Sequence, residues 1–485
     1  MKLPRACCAR LVSPSLPMRR LALVLCALRV CSAAFGAEGY VSEPAGFVRV
    51  ELASNSSALV SMPFEPFDSS LPNVFSNQLL GASNEAAADR ILQWDAAAQQ
   101  YVASFKADGT GDTNRDGRWF TTNWVVSTQV LSVGEGFWVE NAHGPQDVYL
   151  AGAVPLAATQ EVAFVEGLNL FGYPFPSKIA LIGSDLLNDG AWGATNAAGA
   201  DQVQDSSGNM FWLLDQDGHT NDGLWLDEWG GVSSLDLGMG VGCWYDRILT
   251  NALWWSEGRP YSNPFDVGTG APQFVSFSPG TNHDSVLLSL VCSGATGEMI
   301  EVLYQDISPT GCFVAEMGWA VADEGLSTSG GTAFAWTDAG GSGRPAVTSV
   351  FCRVYLLGRQ DIDTDGDGLS DAREVFVHQT DQADSDTDDD AIGDGAEIQR
   401  GTSPTNSGSA NVTLYANHDV GSNVYDGLSS VVTNGHGPKL NIGSAVEAAY
   451  SGDVIEAAAG AYEESTFMLG AKSVVLRPMG AVVVK

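Results

Sequence analysis

The sequence predicts a mainly β protein of several domains. Three observations point there. The chain has 485 residues, room for roughly three to five domains of about 100–150 residues each. Its 55 glycines favour turns and short strands over long helices. Alternating runs such as Gly46-Phe47-Val48-Arg49-Val50-Glu51-Leu52 recur between Asp-Gly pairs that read as hairpin turns. A hydrophobic content of 45% supports buried cores and excludes wholesale disorder. The charge is lopsided, 23 basic against 58 acidic residues for a net of −35. That excludes nucleic acid and anionic membranes as partners and favours cations.

Residues 1–36 hold six basic residues and no acidic one. An apolar stretch over 21–30 is followed by Ala34-Phe35-Gly36, with small residues at the two cleavage-site positions. This layout predicts a secretory signal peptide and a secreted, extracellular or cell-surface protein. The apolar run is far below the ~20 residues that a membrane span needs, and no later segment reaches that length. Cys243, Cys292, Cys312 and Cys352 follow the signal. Four cysteines in so long a chain are not a disulfide framework, although Cys292 and Cys352 are placed to pair across one β domain.

Residues 37–263 repeat themselves at a spacing of 106–112 residues. Leu59-Val60-Ser61-Met62-Pro63-Phe64 matches Leu170-Phe171-Gly172-Tyr173-Pro174-Phe175, and Ala88-Asp89-Arg90-Ile91 matches Ala200-Asp201-Gln202-Val203. Asp116-Gly117-Arg118-Trp119 matches Asp222-Gly223-Leu224-Trp225, and Gly136-Phe137-Trp138 matches Gly242-Cys243-Trp244. Two β modules, 37–152 and 153–263, are expected. Eleven of the thirteen tryptophans lie here, so a sugar-stacking platform competes with core packing. Trp138 and Trp244 follow strand glycines in register and are expected in the core, the glycines supplying a bend. Trp254 and Trp255 are adjacent, so one of them faces outward in a strand. Asp112-Thr113-Asn114-Arg115-Asp116-Gly117 has the start of a cation loop but no acidic residue at its ninth or twelfth position; a polar hairpin tip explains it as well.

Residues 264–360 contain strand-like runs separated by Gly/Ser/Thr clusters, with Trp319 and Trp336 as core candidates. About 95 residues so spaced suit an immunoglobulin- or fibronectin-like β-sandwich acting as a spacer.

Residues 361–409 carry the sharpest motif. Asp363, Asp365 and Asp367 occupy positions 1, 3 and 5 of a twelve-residue loop. Gly368 allows the turn at position 6, and Leu369 offers its carbonyl at 7. Asp371 at 9 acts directly or through water, and Glu374 at 12 closes the shell with two oxygens. Calcium takes six to eight hard oxygens at flexible geometry, which this spacing supplies; magnesium prefers a tighter octahedron with more water. A second loop starts 23 residues on, with Asp386, Asp388, Asp390, Ile392, Asp394 and Glu397 in the same positions. There Ala391 replaces the turn glycine, which predicts a weaker site. Between Asp361 and Glu397 stand fourteen acidic residues and one arginine, Arg373, so without a cation the segment should expand. These loops, with His378-Gln379-Thr380-Asp381 after the first, resemble tandem bacterial thrombospondin type 3-like calcium repeats. That resemblance covers about 45 residues and implies calcium ligation in a semi-rigid connector, not catalysis. It departs from the family pattern where Gln382 follows Thr380-Asp381 and where Ser403 stands in Gly401-Thr402-Ser403-Pro404.

Residues 410–485 begin with a strand at Val412-Thr413-Leu414-Tyr415-Ala416. A short helix over 442–450 follows, with Ile442, Ala445, Val446 and Ala449 on one face, and then further strands. Asp426-Gly427-Leu428-Ser429, Gly437-Pro438-Lys439, Gly452-Asp453-Val454-Ile455 and Tyr462 with Glu464 resemble the opening of a right-handed, pectate-lyase-like parallel β-helix. Such solenoids need about three coils to bury a core, and one or two fit before Lys485, so an incomplete β-helix is expected. The resemblance implies polysaccharide as a partner class but brings no catalytic residue with it.

No nucleophile elbow, zinc-protease motif, Cys-x-x-Cys or phosphate loop is present, and the six histidines are scattered. The sequence therefore reads as a calcium-binding structural or adhesion-type surface protein without catalysis. Its partners would be polysaccharide or other surface proteins. The alternative is a truncated polysaccharide-binding or polysaccharide-degrading β-helix protein.

Overall fold

A computed structural model describes residues 40–265, 267–268, 271–280, 284–291, 298–327, 334–341, 343–433, 436–464, 469–470 and 472–485. The expected signal over 1–36 and Cys292 lie outside the described residues. The fold is mainly β, 38% strand against 9% helix, in several separate sheets. Among the described residues no helix is long and apolar enough to cross a membrane.

The first repeat holds β1 (Ala45–Leu52), β2 (Ser56–Ser61), helix α1 (Leu71–Phe75), β3 (Arg90–Asp95), β4 (Gln100–Lys106), β5 (Trp119–Thr121), β6 (Gly136–Asn141) and β7 (Gln146–Ala153). The second holds β8 (Thr159–Phe164), β9 (Gly167–Gly172), β10 (Ile179–Ala180), β11 (Gln202–Gln204), β12 (Met210–Leu213), β13 (Trp225–Asp227), β14 (Asp236–Leu237), β15 (Gly242–Arg247) and β16 (Leu253–Gly258). Their five-stranded sheets run β5-β4-β3-β6-β2 and β13-β12-β11-β15-β9, the same order strand for strand. The flanking pairs β1–β7 and β8–β16 correspond as well. One buried aspartate pins each copy. Asp89 accepts the amides of Leu80 and Ala142, and Asp201 accepts those of Trp192 and Ile248, all at 2.8 Å.

The copies meet in a reciprocal contact. Ser61 donates its amide to the Gly240 carbonyl at 3.1 Å, and Gly172 donates to Gly134 at 2.9 Å. Gly136 and Gly242 sit in this seam with no positive φ. A Cβ on Gly136 would lie 2.7 Å from the Phe171 amide nitrogen, and one on Gly242 would lie 2.7 Å from the Val60 carbonyl oxygen. These glycines give room for a neighbouring backbone, where the sequence had suggested a bend. Trp138 and Trp244 are half-buried and not in the core, contrary to expectation. The pleat explains why: Phe137 and Val139, and Cys243 and Tyr245, take the core face, so the tryptophans between them face the other way. Trp244 instead meets the Trp94 ring edge-on at 5.2 Å.

Residues 264–360 supply β17 (Gln273–Pro279), β18 (Val286–Val291), β19 (Met299–Ile307), β20 (Ala320–Ser327), β21 (Phe334–Asp338) and β22 (Cys352–Arg359). They do not form two sheets by themselves. All eight residues of β22 are buried, and it pairs with β19 on one side and β1 on the other, giving the order β20-β19-β22-β1-β7. The sheet thus crosses the boundary expected near residue 263. Phe47, Tyr149, Leu288, Val302, Trp336 and Tyr355 share one apolar cluster between this sheet and the β17-β18-β21 sheet. Trp319 and Trp336 are buried as expected. Cys352 is a buried free thiol.

The C-terminal segment holds β23 (Thr413–Ala416), a short helix (Ile442–Ala448), β24 (Val454–Ala457), β25 (Gly460–Tyr462), β26 (Val475–Pro478) and β27 (Val482–Val484). Its strands pair in parallel, β23-β24-β26 in one sheet and β25-β27 in another. Ile442, Ala445, Val446 and Ala449 are all buried, in a small cluster with Leu414, Ile455 and Tyr462.

Candidate metal centre

Both acidic loops fold on one hydrogen-bond plan. In the first, Asp363 accepts the amides of Gly366 at 2.7 Å and Gly368 at 3.1 Å. Asp367 accepts that of Leu369 at 2.8 Å. In the second, Asp386 accepts Asp390 at 3.1 Å and Ala391 at 2.8 Å, and Asp390 accepts Ile392 at 3.0 Å. Carboxylate oxygens of Asp363, Asp365 and Asp367 come within 4.8 Å of one another, and so do those of Asp386, Asp388 and Asp390. Leu369 and Ile392 bury their side chains beneath the loops.

The closing glutamates are the decisive groups. Glu374 and Glu397 are fully buried. Glu374 Oε2 has no hydrogen-bond partner, nor does either carboxylate oxygen of Glu397. Asp365 Oδ2, both carboxylate oxygens of Asp388 and Asp390 Oδ2 are also buried and unpartnered. Buried polar groups in folded proteins are almost always satisfied, so this concentration of orphaned anionic oxygens fits a cation. Burial, and then the neighbouring Asp365, Asp367 and Asp371, push the Glu374 carboxyl up to about 8. Burial likewise raises Glu397, with Asp390, Asp388 and Asp394 adding to it. The donors are all hard oxygens at flexible spacing, which fits calcium.

Asp371 and Asp394, expected at position 9 to act directly or through water, also accept hydrogen bonds within their own loops. Asp371 accepts the Thr364 amide at 2.8 Å and its hydroxyl at 2.7 Å. Asp394 accepts the same groups of Thr387 at 3.0 and 2.6 Å. Both aspartates tie the start of a loop to the helix that follows it. The signal for this was a Thr at position 2 of each loop.

The loops differ in backbone strain and in footing. Gly366 and Gly368 have φ of +80° and +101°; the equivalent Asp389 and Ala391 have +61° and +73°. The first loop runs into helix α2 (Asp371–Arg373) and a π-turn over Glu374–His378. Ala372 and Phe376 join the main apolar core there, with Phe376 stacked on Phe265 at 5.5 Å. Buried Glu301 on β19 accepts from Ser370 and, at 2.6 Å, from Arg373. The second loop runs into helix α3 (Asp394–Arg400). Arg400 reaches both oxygens of buried Asp453 at 2.7 Å and lies 4.6 Å over the Tyr450 ring. Asp367 Oδ2 links the two loops by accepting the Gly395 amide at 2.6 Å. Glu301 and Asp453 are remote in sequence and carried no signal of these roles.

The 112–117 segment is a hairpin tip. Asp116 Oδ1 accepts the Thr110 amide at 2.9 Å, as Asp222 accepts that of Gln216 at 2.7 Å in the second repeat. Trp254 is 61% exposed and Trp255 fully buried, so the adjacent pair divides between the two faces.

No protein-family model matches the chain, and no curated protein matches it. A solved structure titled "Structure of allantoicase" covers 39% of this chain and 73% of its own, at 10% identity and a TM-score of 0.11, a likeness too slight to carry an argument.

Proposed function

We propose that the protein is a secreted or cell-surface structural protein of the adhesion type, stabilised by calcium on two thrombospondin type 3-like loops and without catalysis of its own. Asp363, Asp365, Asp367, the Leu369 carbonyl and Glu374 would hold one ion. Asp386, Asp388, Asp390, the Ile392 carbonyl and Glu397 would hold the other. One observation carries this reading: Glu374 and Glu397 are fully buried with unpartnered carboxylate oxygens beside two rings of aspartates. The parallel pairing of β23, β24 and β26 supports reading the C-terminal segment as the opening of a parallel β-helix.

The test is calcium titration of the full chain by calorimetry, with melting in calcium and in chelator. Calcium at about 100 times Kd stabilises the fold by about 2.7 kcal/mol per site, so a higher Tm in calcium is expected. No binding heat and an unchanged Tm would overturn the proposal.

A glycan-contacting second repeat is favoured by Trp229 and Trp254, which are 87% and 61% exposed. Retention on insoluble polysaccharide that is lost in Trp229→Ala and Trp254→Ala would support it, and no retention of the parent chain would remove it.

A further inference from the structure

We propose that the two calcium loops have unequal tasks: the first is a standing fixture of the sheet body, and the second is a calcium-responsive joint that sets the docking of the C-terminal parallel strands. This rests on the calcium reading and goes beyond it, since the loops carry the same carboxylates at the same spacing.

The difference lies in what holds each loop apart from an ion. The first is anchored from outside. Ala372 and Phe376 belong to the main apolar core, and Ser370 and Arg373 are tied to buried Glu301. Its two left-handed positions are glycines, which adopt that conformation without strain. The second has neither advantage. Among the described residues, helix α3 contributes no side chain to any apolar cluster. Asp389 and Ala391 stand at the left-handed positions; Asp tolerates that conformation better than most residues, whereas for Ala391 it lowers the equilibrium constant for the closed loop by roughly tenfold. Asp388 and Glu397 have no partner for any of their four carboxylate oxygens, so closing this loop depends more on the ion.

Helix α3 is also the handle of the C-terminal segment. Arg400 binds both Asp453 oxygens, and Asp453 accepts the Val412 and Tyr450 amides at 2.9 and 2.8 Å, where the chain enters that segment's core and where it turns from the helix into β24. That core is a cluster separate from the main one. Loss of the second ion leaves the left-handed backbone at Ala391 and the partnerless carboxylate oxygens of Asp388 and Glu397 with nothing to offset them. The helix then loosens, and Arg400 with it. Asp367, whose side chain accepts the Gly395 amide, carries the order of the first loop only as far as the start of α3.

The experiment uses the cation-free full chain titrated with calcium chloride, followed by calorimetry and by hydrogen–deuterium exchange at each step. Two binding steps at least about tenfold apart are expected. Protection of 413–416 and 454–457 should rise with the weaker step, while protection of 352–359 should not. Ala391→Gly should move the weaker step about tenfold towards the stronger and carry C-terminal protection with it. Arg400→Ala should keep both heats and abolish the calcium dependence of that protection. Equal affinities, C-terminal protection that follows the stronger step, or an Ala391→Gly chain whose weaker step stays in place would overturn the proposal. Absence of any calcium heat is a different result, because it removes the calcium reading itself.

Discussion

The two acidic loops offer a controlled comparison inside one chain. Each presents Asp at positions 1, 3 and 5, Thr at 2, a buried apolar residue at 7 and a buried Glu at 12, with matching hydrogen bonds from position 2 to position 9 and from position 7 to position 5. They differ in two left-handed residues and in the ground beneath them. The first stands on the sheet body through Glu301, and the second holds the C-terminal segment through Asp453. The difference teaches that ligand spacing fixes where an ion can sit, whereas backbone cost and external anchoring fix how much the fold depends on it.

The largest effect should come from cutting the second loop's handle. Arg400→Ala removes one partner of a buried ion pair and leaves fully buried Asp453 without its guanidinium, a defect that costs about 3–5 kcal/mol. Because the C-terminal core is a separate cluster, calorimetry should show an early melting step confined to that segment. Arg373→Ala gives the contrast. Glu301 keeps its bond from Ser370, and the loss falls on a helix that also buries Ala372 and Phe376, so a single transition at lower Tm is expected. If the two variants melt alike, the unequal footing of the loops is wrong.

A second test asks whether the buried glutamates are strained without an ion. In chelator the Glu374 carboxyl is pushed up to about 8, above its ordinary unfolded value near 4.3. Between those values the folded chain binds a proton that the unfolded chain lacks. Stability is therefore greatest below about pH 4.3 as far as this group decides, and is lost as pH rises to about 8. Glu397 is shifted in the same direction and adds to the trend. Saturating calcium should abolish the slope by holding both groups ionised. Melting in chelator that is flat from pH 5 to 8, or that improves with pH, would count against a charged cluster awaiting a cation.

Much of this was legible in the sequence because the signals were local. The repeat is visible in matched residues such as Asp89 and Asp201, and both copies deliver the same strand order. The clustering of the loop aspartates follows from spacing alone. What could not be read depends on distance or on parity. β1 pairs with β22 across some three hundred residues, as Phe47 opposite Arg353, and no window of sequence contains that contact. Gly-Phe-Trp and Gly-Cys-Trp have apolar residues on both faces, so nothing in them says that Phe137 and Cys243 own the core and Trp138 and Trp244 do not. Asp371 and Asp394 were legible as position-9 carboxylates, but their bonds to the threonines at position 2 were not.

The smallest effect is also the cleanest, because it converts the first loop into a copy of the second at one position. Gly368 has φ of +101°, and a Cβ there would meet no atom within 4 Å. Gly368→Ala therefore adds backbone strain and no collision. The left-handed conformation costs an alanine about 1–2 kcal/mol, which predicts a stronger calcium step weakened by roughly tenfold. The heat of the weaker step and the melting of the C-terminal segment should stay where they are. Should both steps move together, strain passes freely between the loops through Asp367 and Gly395, and they act as one unit. Should neither move, the glycine is not what separates their affinities, and the contrast must come from Glu301 and the core beneath Phe376.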